Sequence, residues 1–185
     1  MATPRGPDHR GWGVAMTGLP GPLRDALLTV RHRLGTRVDW LVGGSVAAAL
    51  WGVEFVPRDI DVFTDRDGAY EAARLLGGDR DGVRFSSTGV VRSHFGSLRL
   101  GEVTVEIMGG FQTCRPGGGW RPAVDVTAER VWIVFDRTSL PIAPPGLLAR
   151  IYRDLGRADR AEALAGASTA ARAGPQPLNR MGGSL

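Results

Sequence analysis

Hydrophobic and polar positions follow two different periods along this chain, one typical of helices and one typical of strands. Apolar residues recur at helical spacing in four segments: 22–34, 45–51, 68–76 and from Pro144 to about residue 165. Pro22 and Gly35 bound the first helix, and Asp67 is positioned to cap the third, which ends at the Gly77-Gly78 pair. The pattern therefore predicts four helices of unequal length.

Strand-like runs lie between these helices. They are predicted at 38–42, 59–63, around 83–86, 89–92 and 97–100, at 102–108 and at 131–135. The run 102-EVTVEIM-108 alternates, so Val105 and Ile107 should point inward while Glu106 points out. The glycine-rich segment 109–119 is expected to be a loop. This mixed order predicts an α/β (α+β) fold, in which helices flank a mixed β-sheet.

The composition divides the chain into four parts. Residues 1–20 are rich in Pro and Gly and predict a flexible lead, followed by a sheet domain over 21–140. A C-terminal helical segment is expected over 141–165. The tail 166–185 is small, polar and Pro/Gly-bearing, which is typical of a disordered segment.

Charge and cysteine content narrow the chemistry. All 23 basic residues are arginine, so a cationic side chain that binds phosphate must be a guanidinium. The net charge of +4 permits nucleic-acid binding without arguing for it. The single cysteine, Cys114, excludes an intramolecular disulfide. With no signal-peptide pattern and no apolar run long enough for a membrane span, the expected location is the cytoplasm.

Two carboxylates one residue apart are the main candidates for chemistry. Asp59 and Asp61 lie on a predicted strand and therefore share a face, where their charges repel unless a cation joins them. Mg²⁺ prefers such oxygen ligands and also binds substrate phosphates. Glu106 would add a third carboxylate from a second strand. Three carboxylates that hold two Mg²⁺ ions are suited to in-line phosphoryl transfer.

A glycine turn ends at Ser45, fourteen residues upstream of the first carboxylate. Gly43 and Gly44 follow a predicted strand, and Ser45 opens a predicted helix, so bare backbone N–H groups are available to an anion. Arg58 would either contact a phosphate or pair with Asp59. Each feature alone is also typical of a capped turn or a solvated strand edge, but their combination at this spacing favours a nucleotide site.

Four arginines of the last predicted helix form a stripe. On a continuous helix they would fall within a sector of about 80°, and they are Arg150, Arg153, Arg157 and Arg160. The simpler interpretation is the solvated face of an amphipathic helix. The functional one is a basic surface that grips a triphosphate or an RNA backbone.

These motifs resemble a known family. The stretch VGGSVAAALWG…RDIDVF is similar to the signature of the DNA-polymerase-β-like nucleotidyltransferase superfamily, with closest likeness to small bacterial abortive-infection toxin-type members. The later segment 144-PPGLLARIYRDLGRADRAEAL-164 also looks similar, with Asp159 in the place of the family's aspartate. The third acid is usually Asp where this chain has Glu106. Relatives often carry a lysine that Arg150 or Arg153 would replace here.

The resemblance implies a magnesium-dependent enzyme. It would move an NMP group from an NTP to an acceptor hydroxyl and release pyrophosphate, with Asp59, Asp61 and Glu106 as metal ligands. The resemblance assigns the nucleotide to Gly43, Gly44, Ser45, Arg58, Arg150, Arg153 and Asp159. It favours tRNA or another RNA as acceptor and a cognate antitoxin as partner. The alternatives are a small-molecule acceptor of the aminoglycoside type, a protein acceptor, or a degenerate module that binds nucleotide or a partner without catalysis.

Overall fold

The computed structural model describes residues 18–173, with side chains described as far as residue 167. Its helices are α1 (Gly21–Leu34), α2 (Gly44–Leu50), α3 (Arg66–Leu76), α4 (Val126–Glu129), α5 (Pro145–Asp154) and α6 (Ala158–Ala173). Its strands are β1 (Trp40–Val42), β2 (Asp59–Thr64), β3 (Arg84–Ser87), β4 (Val91–Leu100), β5 (Val103–Thr113), β6 (Val131–Phe135) and β7 (Thr138–Ile142). No helix within this part of the chain is long and apolar enough to cross a membrane.

The seven strands form one mixed sheet in the order β3-β4-β5-β2-β1-β7-β6. Strand β2 pairs parallel with β5, and β1 pairs parallel with β7. The remaining neighbours, β1–β2, β3–β4, β4–β5 and β6–β7, are antiparallel. The predicted α/β class, with helices flanking a mixed sheet, is confirmed.

The two faces of the central strands have different roles. On β5, Val105 and Ile107 are fully buried, as the alternation predicts. Gly109 continues this face and lies against α3, since a Cβ built on it would come 2.6 Å from the Ala69 Cβ. Glu106 therefore points to the opposite face, which α3 leaves uncovered.

A bulge interrupts the pairing of β4 with β5. Arg92 pairs with Gln112 and His94 with Gly109, so Ser93 alone stands opposite two residues, Gly110 and Phe111. Gly110 has a φ of +61°, the left-handed conformation that such a bulge requires and glycine adopts without strain. The loop expected over 109–119 is therefore wrong at its start, because Gly109 and Gly110 belong to β5.

Because of this extra residue, the side chains of β5 beyond the bulge point to the opposite face from the one that an uninterrupted alternation would give them. Thr113 points to the uncovered face, where its hydroxyl donates a 2.6 Å hydrogen bond to the Asp154 carboxylate of α5. Arg121 makes a bidentate pair with the same carboxylate, with N–O distances of 2.5 and 2.9 Å. These contacts anchor α5 over the end of β5.

The single helix predicted from 144 to about 165 is wrong, because the chain turns between α5 and α6. Gly156, with a φ of +70°, follows the end of α5, and the Arg157 N–H donates to the Tyr152 carbonyl at 2.8 Å. The four arginines therefore do not form one stripe. Helix α6 also continues to Ala173, past the expected end, since its alanine-rich sequence favours helix.

Other boundaries differ in smaller ways. Asp65, rather than Asp67, caps α3, and its carboxylate accepts from the Gly68 N–H at 2.6 Å. The runs 89–92 and 97–100 belong to one strand, β4. Strand β7 was not predicted, and the expected division at residue 140 falls within it. The rest of the lead, 1–17, and of the tail, 174–185, lies outside the described residues.

Candidate active site

A cavity of about 1050 Å³ opens on the face of the sheet opposite α3. Strands β2, β4 and β5 form its floor. The start of α2, the loop 51–58 and the junction of α5 with α6 contribute to its walls. The cavity is thus bordered by the glycine turn, by the carboxylates of β2 and β5 and by part of the predicted C-terminal helical segment.

The floor of this cavity carries three carboxylates. Asp61 on β2 is in register with Glu106 on the neighbouring parallel strand β5, and Asp59 lies two residues earlier on the same face of β2. Burial, with the charges of Asp59 and Glu106, raises the pKa of Asp61 to about 7, and the Arg157 charge opposes this. Burial and the Asp59 charge also raise the pKa of Glu106. The negative charge of the three carboxylates is therefore greater than the positive charge that the protein places beside Asp61.

Such a site suits a cation that arrives with its substrate. No three His, Cys, Asp or Glu side chains among the described residues form a preassembled metal cage. Mg²⁺ does not need one, because it is commonly bound by one or two carboxylates together with substrate phosphates and water. The excess negative charge around Asp61 fits that donor set, with Asp59 and Asp61 as the carboxylates and Glu106 beside them.

The glycine turn is fitted closely to this acidic floor. The Gly43 N–H donates to the Asp61 carbonyl at 2.8 Å, and a Cβ on Gly43 would lie 2.7 Å from the Phe63 ring. Gly44 has a φ of +56°, and a Cβ there would lie 1.6 Å from Asp61 Oδ2. Ser45 follows and lines the cavity. The turn therefore requires glycine so that backbone and carboxylate can meet.

Arginines face the carboxylates from the other walls. Arg157 and Arg160 line the cavity beside the α5–α6 turn. The Arg160 guanidinium lies 5.0 Å from the centre of the Phe55 ring and 5.6 Å from that of Tyr152. Arg58 is exposed at the cavity edge and makes no ion pair with the neighbouring Asp59. Three guanidinium groups are thus available to an anionic ligand.

The structure separates two of the predicted nucleotide-binding arginines from the cavity. Arg150 pairs with Glu129 at 2.7 Å, and Arg153 is exposed, and neither lines the cavity. Asp159 does line it. Arg157 and Arg160 line the cavity instead, because Gly156 turns the chain between α5 and α6. Gly156 is the one sequence feature that could have predicted the end of the helix at this point.

A third wall was not predicted. It is formed by β3, β4 and their connection, and its lining residues are Ser86, Thr88, Val90, Val91, Ser93 and Phe95. Ser86 and Ser93 are cross-strand partners in the β3–β4 pair. Ser93 is only 4% exposed, yet its hydroxyl has no hydrogen-bond partner among the described side chains and backbone groups. Nothing in the sequence distinguishes this serine from an ordinary strand residue.

The comparison that decides the family is with protein-family models. Residues 26–162 match the model of the aminoglycoside-2″-adenylyltransferases. The chain belongs to this family. A protein of Thermotoga maritima assigned as a nucleotidyltransferase is 32% identical to this family member, with a TM-score of 0.69 over 80% of this chain and 94% of that one. No curated protein matches the chain significantly.

Two structures at 11% identity also match this member of the family. ANT(2″)-Ia in complex with adenylyl-2″-tobramycin has a TM-score of 0.46, with 82% of this chain and 97% of that one covered. The lincosamide antibiotic adenylyltransferase LnuA has a TM-score of 0.43, with 80% and 99% covered.

The family assignment settles the class of activity. The predicted nucleotidyltransferase superfamily is confirmed, and with it the prediction that the chain is an NTP-dependent nucleotidyltransferase. The closer likeness to toxin-type members stays a prediction.

Proposed function

We propose that the protein transfers an NMP group from an NTP to a hydroxyl of a small-molecule acceptor, with Mg²⁺ bound at Asp59 and Asp61. The family description supports ATP as the nucleotide to test first. The observation that carries the proposal is the meeting of Asp61, Glu106 and Gly44 on the cavity floor. The paired strands β2 and β5 bring the two carboxylates side by side, and the glycine turn brings backbone N–H groups next to them.

The side chains divide the reaction between them. The acceptor oxygen attacks the α-phosphorus and the bond to the pyrophosphate oxygen breaks, while the acceptor proton passes to Glu106, whose raised pKa suits a base. Arg58, Arg157 and Arg160 contact the phosphates, and the Gly44-Ser45 turn brings N–H and hydroxyl donors to them. When bound, Mg²⁺ would neutralise the phosphates and stabilise the charge that develops on the transferred group.

The shape of the site supports a small acceptor over RNA. The cavity of about 1050 Å³ is at the upper end for ligand pockets, which leaves room for an acceptor beside a nucleotide. The arginines do not form a continuous basic surface, because Arg150 pairs with Glu129 and Arg157 faces the carboxylates. An RNA acceptor and a cognate antitoxin stay predictions of the resemblance alone.

The rival function is nucleotide binding without turnover. Glu106 supports this second candidate, since it is one methylene longer than the aspartate usual in relatives. The two functions differ in one assay, in which the protein is incubated with Mg²⁺, α-labelled ATP and a panel of hydroxylated acceptors, with Asp61→Asn as the inactive control. Transfer of label that is lost in the variant is expected. ATP binding without transfer to any acceptor would favour the binding module.

A further inference from the structure

The third wall of the cavity has no assigned role in the transfer chemistry. It stands beside Glu106, because β4 pairs with β5 directly and β3 with β4. The glycine turn and the arginines lie on the other side of the carboxylates, at α2 and at the α5–α6 junction. If the phosphates occupy that side, the acceptor must approach the base from the β3–β4 wall.

The lining of this wall is uncharged. Its members are serine, threonine, valine and phenylalanine, and Arg92 and His94 of β4 have partners outside this wall. Arg92 binds the Gln112 carboxamide and stacks over the Trp120 ring at 4.5 Å, while His94 contacts the Tyr70 hydroxyl at 2.9 Å. A polycationic acceptor would therefore find no carboxylate along this wall to receive its amines.

One polar group on the wall is prepared for a ligand. Ser93 stands opposite the Gly110 bulge and lines the cavity, and its hydroxyl has no hydrogen-bond partner among the described residues. Since every fully buried polar side-chain atom of the described residues has a partner, this hydroxyl oxygen is open to the cavity, where a ligand can supply its hydrogen bond. The Thr88 hydroxyl, by contrast, is occupied within its own turn, where it accepts from the Val91 N–H at 3.0 Å.

Two of the residues that line the cavity expose large apolar side chains. Val90 is 47% exposed, and Val56 of the loop 51–58, which also contributes Glu54 and Arg58 to the lining, is 82% exposed. Exposed apolar side chains that line a cavity are typical of a binding surface. Hydroxyl groups and exposed apolar groups in this lining together describe an acceptor that is neutral, hydroxylated and partly apolar.

We propose that the β3–β4 wall is the acceptor subsite, that it selects an uncharged hydroxylated molecule with an apolar portion, and that Ser93 is its specificity-determining residue. This inference rests on the proposed function. It narrows the acceptor to a class that the family description does not name.

The test compares neutral and cationic acceptors. Methyl, phenyl and octyl β-D-glucopyranoside are each offered to the wild-type protein with Mg²⁺ and α-labelled ATP, and tobramycin is offered as the polycation. We expect labelling of a neutral glycoside, best with the phenyl or octyl compound, at least tenfold above tobramycin in kcat/KM. Equal or better use of tobramycin, or of total tRNA, overturns the inference and leaves nucleotidyl transfer intact.

Variants then locate the subsite. Ser93→Ala should raise the KM for the glycoside about tenfold, the value of one lost hydrogen bond, with the KM for ATP unchanged. Ser87→Ala is the matched control, because Ser87 is an exposed serine of β3 that does not line the cavity. An unchanged glycoside KM in Ser93→Ala would overturn the assignment. Ser86→Asp should improve tobramycin as an acceptor by placing a carboxylate on the wall.

Calorimetry separates failure of this inference from failure of the proposed function. Loss of ATP binding with Mg²⁺ in the wild-type protein contradicts the proposed function itself. If ATP binds but no acceptor is labelled, titration of the ATP-bound protein with octyl β-D-glucopyranoside decides the inference. Binding that Ser93→Ala weakens about tenfold supports the subsite, and absence of binding overturns it.

Discussion

Gly44 and Asp61 meet so closely that a single Cβ on the glycine would overlap the carboxylate, at 1.6 Å from Oδ2. Gly44→Ala should therefore displace Asp61 and lower kcat/KM for nucleotidyl transfer by about 10³-fold, since misplacement of a catalytic group by 1 Å alone costs about 10²-fold. Steady-state transfer kinetics would measure it.

The control for this glycine is another with the same backbone conformation. Gly101 has a φ of +60°, against +56° at Gly44, but a Cβ there would meet no atom within 4 Å. Gly101→Ala carries the conformational cost alone and should leave transfer within about twofold, while losing roughly 1 kcal/mol of stability. Equal loss of activity in both variants would show that strain, rather than contact with Asp61, is responsible.

Removal of the Asp61 charge should stabilise the metal-free protein while ending its activity. Asp61→Asn keeps the side-chain shape but relieves repulsion in a buried site, so at pH 8 we expect Tm to rise by roughly 3 °C or more. Transfer should fall below detection. Thermal unfolding without metal, compared with Glu162→Gln on the exposed face of α6, would measure the gain. A lower Tm in Asp61→Asn would contradict the assigned repulsion.

The pKa of Asp61 also predicts how pH and Mg²⁺ act together. Its pKa is about 7 in the folded protein, against an ordinary value of 3.8 for an aspartate. The stability that comes from the neutral form is present below pH 3.8 and is lost as pH rises through 7. Protons and Mg²⁺ compete for this carboxylate. We therefore expect Mg²⁺ to raise Tm more at pH 8 than at pH 6, and the difference to disappear in Asp61→Asn. Equal shifts at both pH values would count against Asp61 as a ligand.

Arg157 and Arg153 provide a matched pair for the phosphate contacts. Both are exposed arginines near the α5–α6 turn, but only Arg157 lines the cavity. Arg157→Ala should raise the KM for ATP about tenfold or more, since a charge-assisted hydrogen bond contributes about 1.5–3 kcal/mol. Arg153→Ala should leave that KM unchanged. The reverse result would return the nucleotide to the arginine that the sequence predicts.

The Asp154 carboxylate joins α5 to Thr113 of β5 and to Arg121, and its removal would measure how much these contacts stabilise the protein. Burial raises its pKa, but the hydrogen bonds from Arg121 and Thr113 outweigh burial and leave the pKa below its usual value. Asp154→Ala would leave Arg121 unpaired, and we expect the free energy of unfolding to fall by about 3 kcal/mol, the lower end of the range for such pairs because Arg121 reaches solvent. Urea denaturation would measure the loss. Glu71→Ala, which removes an exposed pair with Arg74, should leave stability unchanged.

Regular periods explain what the sequence predicts well. The same-face carboxylates of β2, the alternation of β5 and the glycine turn each depend on neighbours within a few residues, and the structure places all three together. The differences from the predicted elements depend on residues in the left-handed conformation. Gly110 shifts the alternation of β5, and Gly156 ends α5. The sequence shows where a glycine is but not whether its φ is positive.

Long-range pairing explains the remaining differences. Strand β7 lies inside the sheet between β1 and the edge strand β6, yet its hairpin with β6 turns at Asp136-Arg137, with φ values of 47° and 64°. Asn-Gly or Asp-Gly is the usual signal for such a turn, and it is absent here. The role of Ser93 likewise depends on β3 and on the bulge opposite it, which no local pattern encodes.

The bulge at Gly110 also makes the backbone conformation of one residue as important as the side chains of β5. A substitution that forced residue 110 into a regular extended conformation would restore an uninterrupted alternation and carry Phe111 and Thr113 to the α3 side of the sheet. Asp154 would lose the Thr113 hydroxyl as a partner, and the stacked pair of Phe111 with Phe63, 4.7 Å apart, would separate. Relatives that descend from a common ancestor with this chain should therefore keep glycine at this position more strictly than they keep the side chains of the rest of the strand.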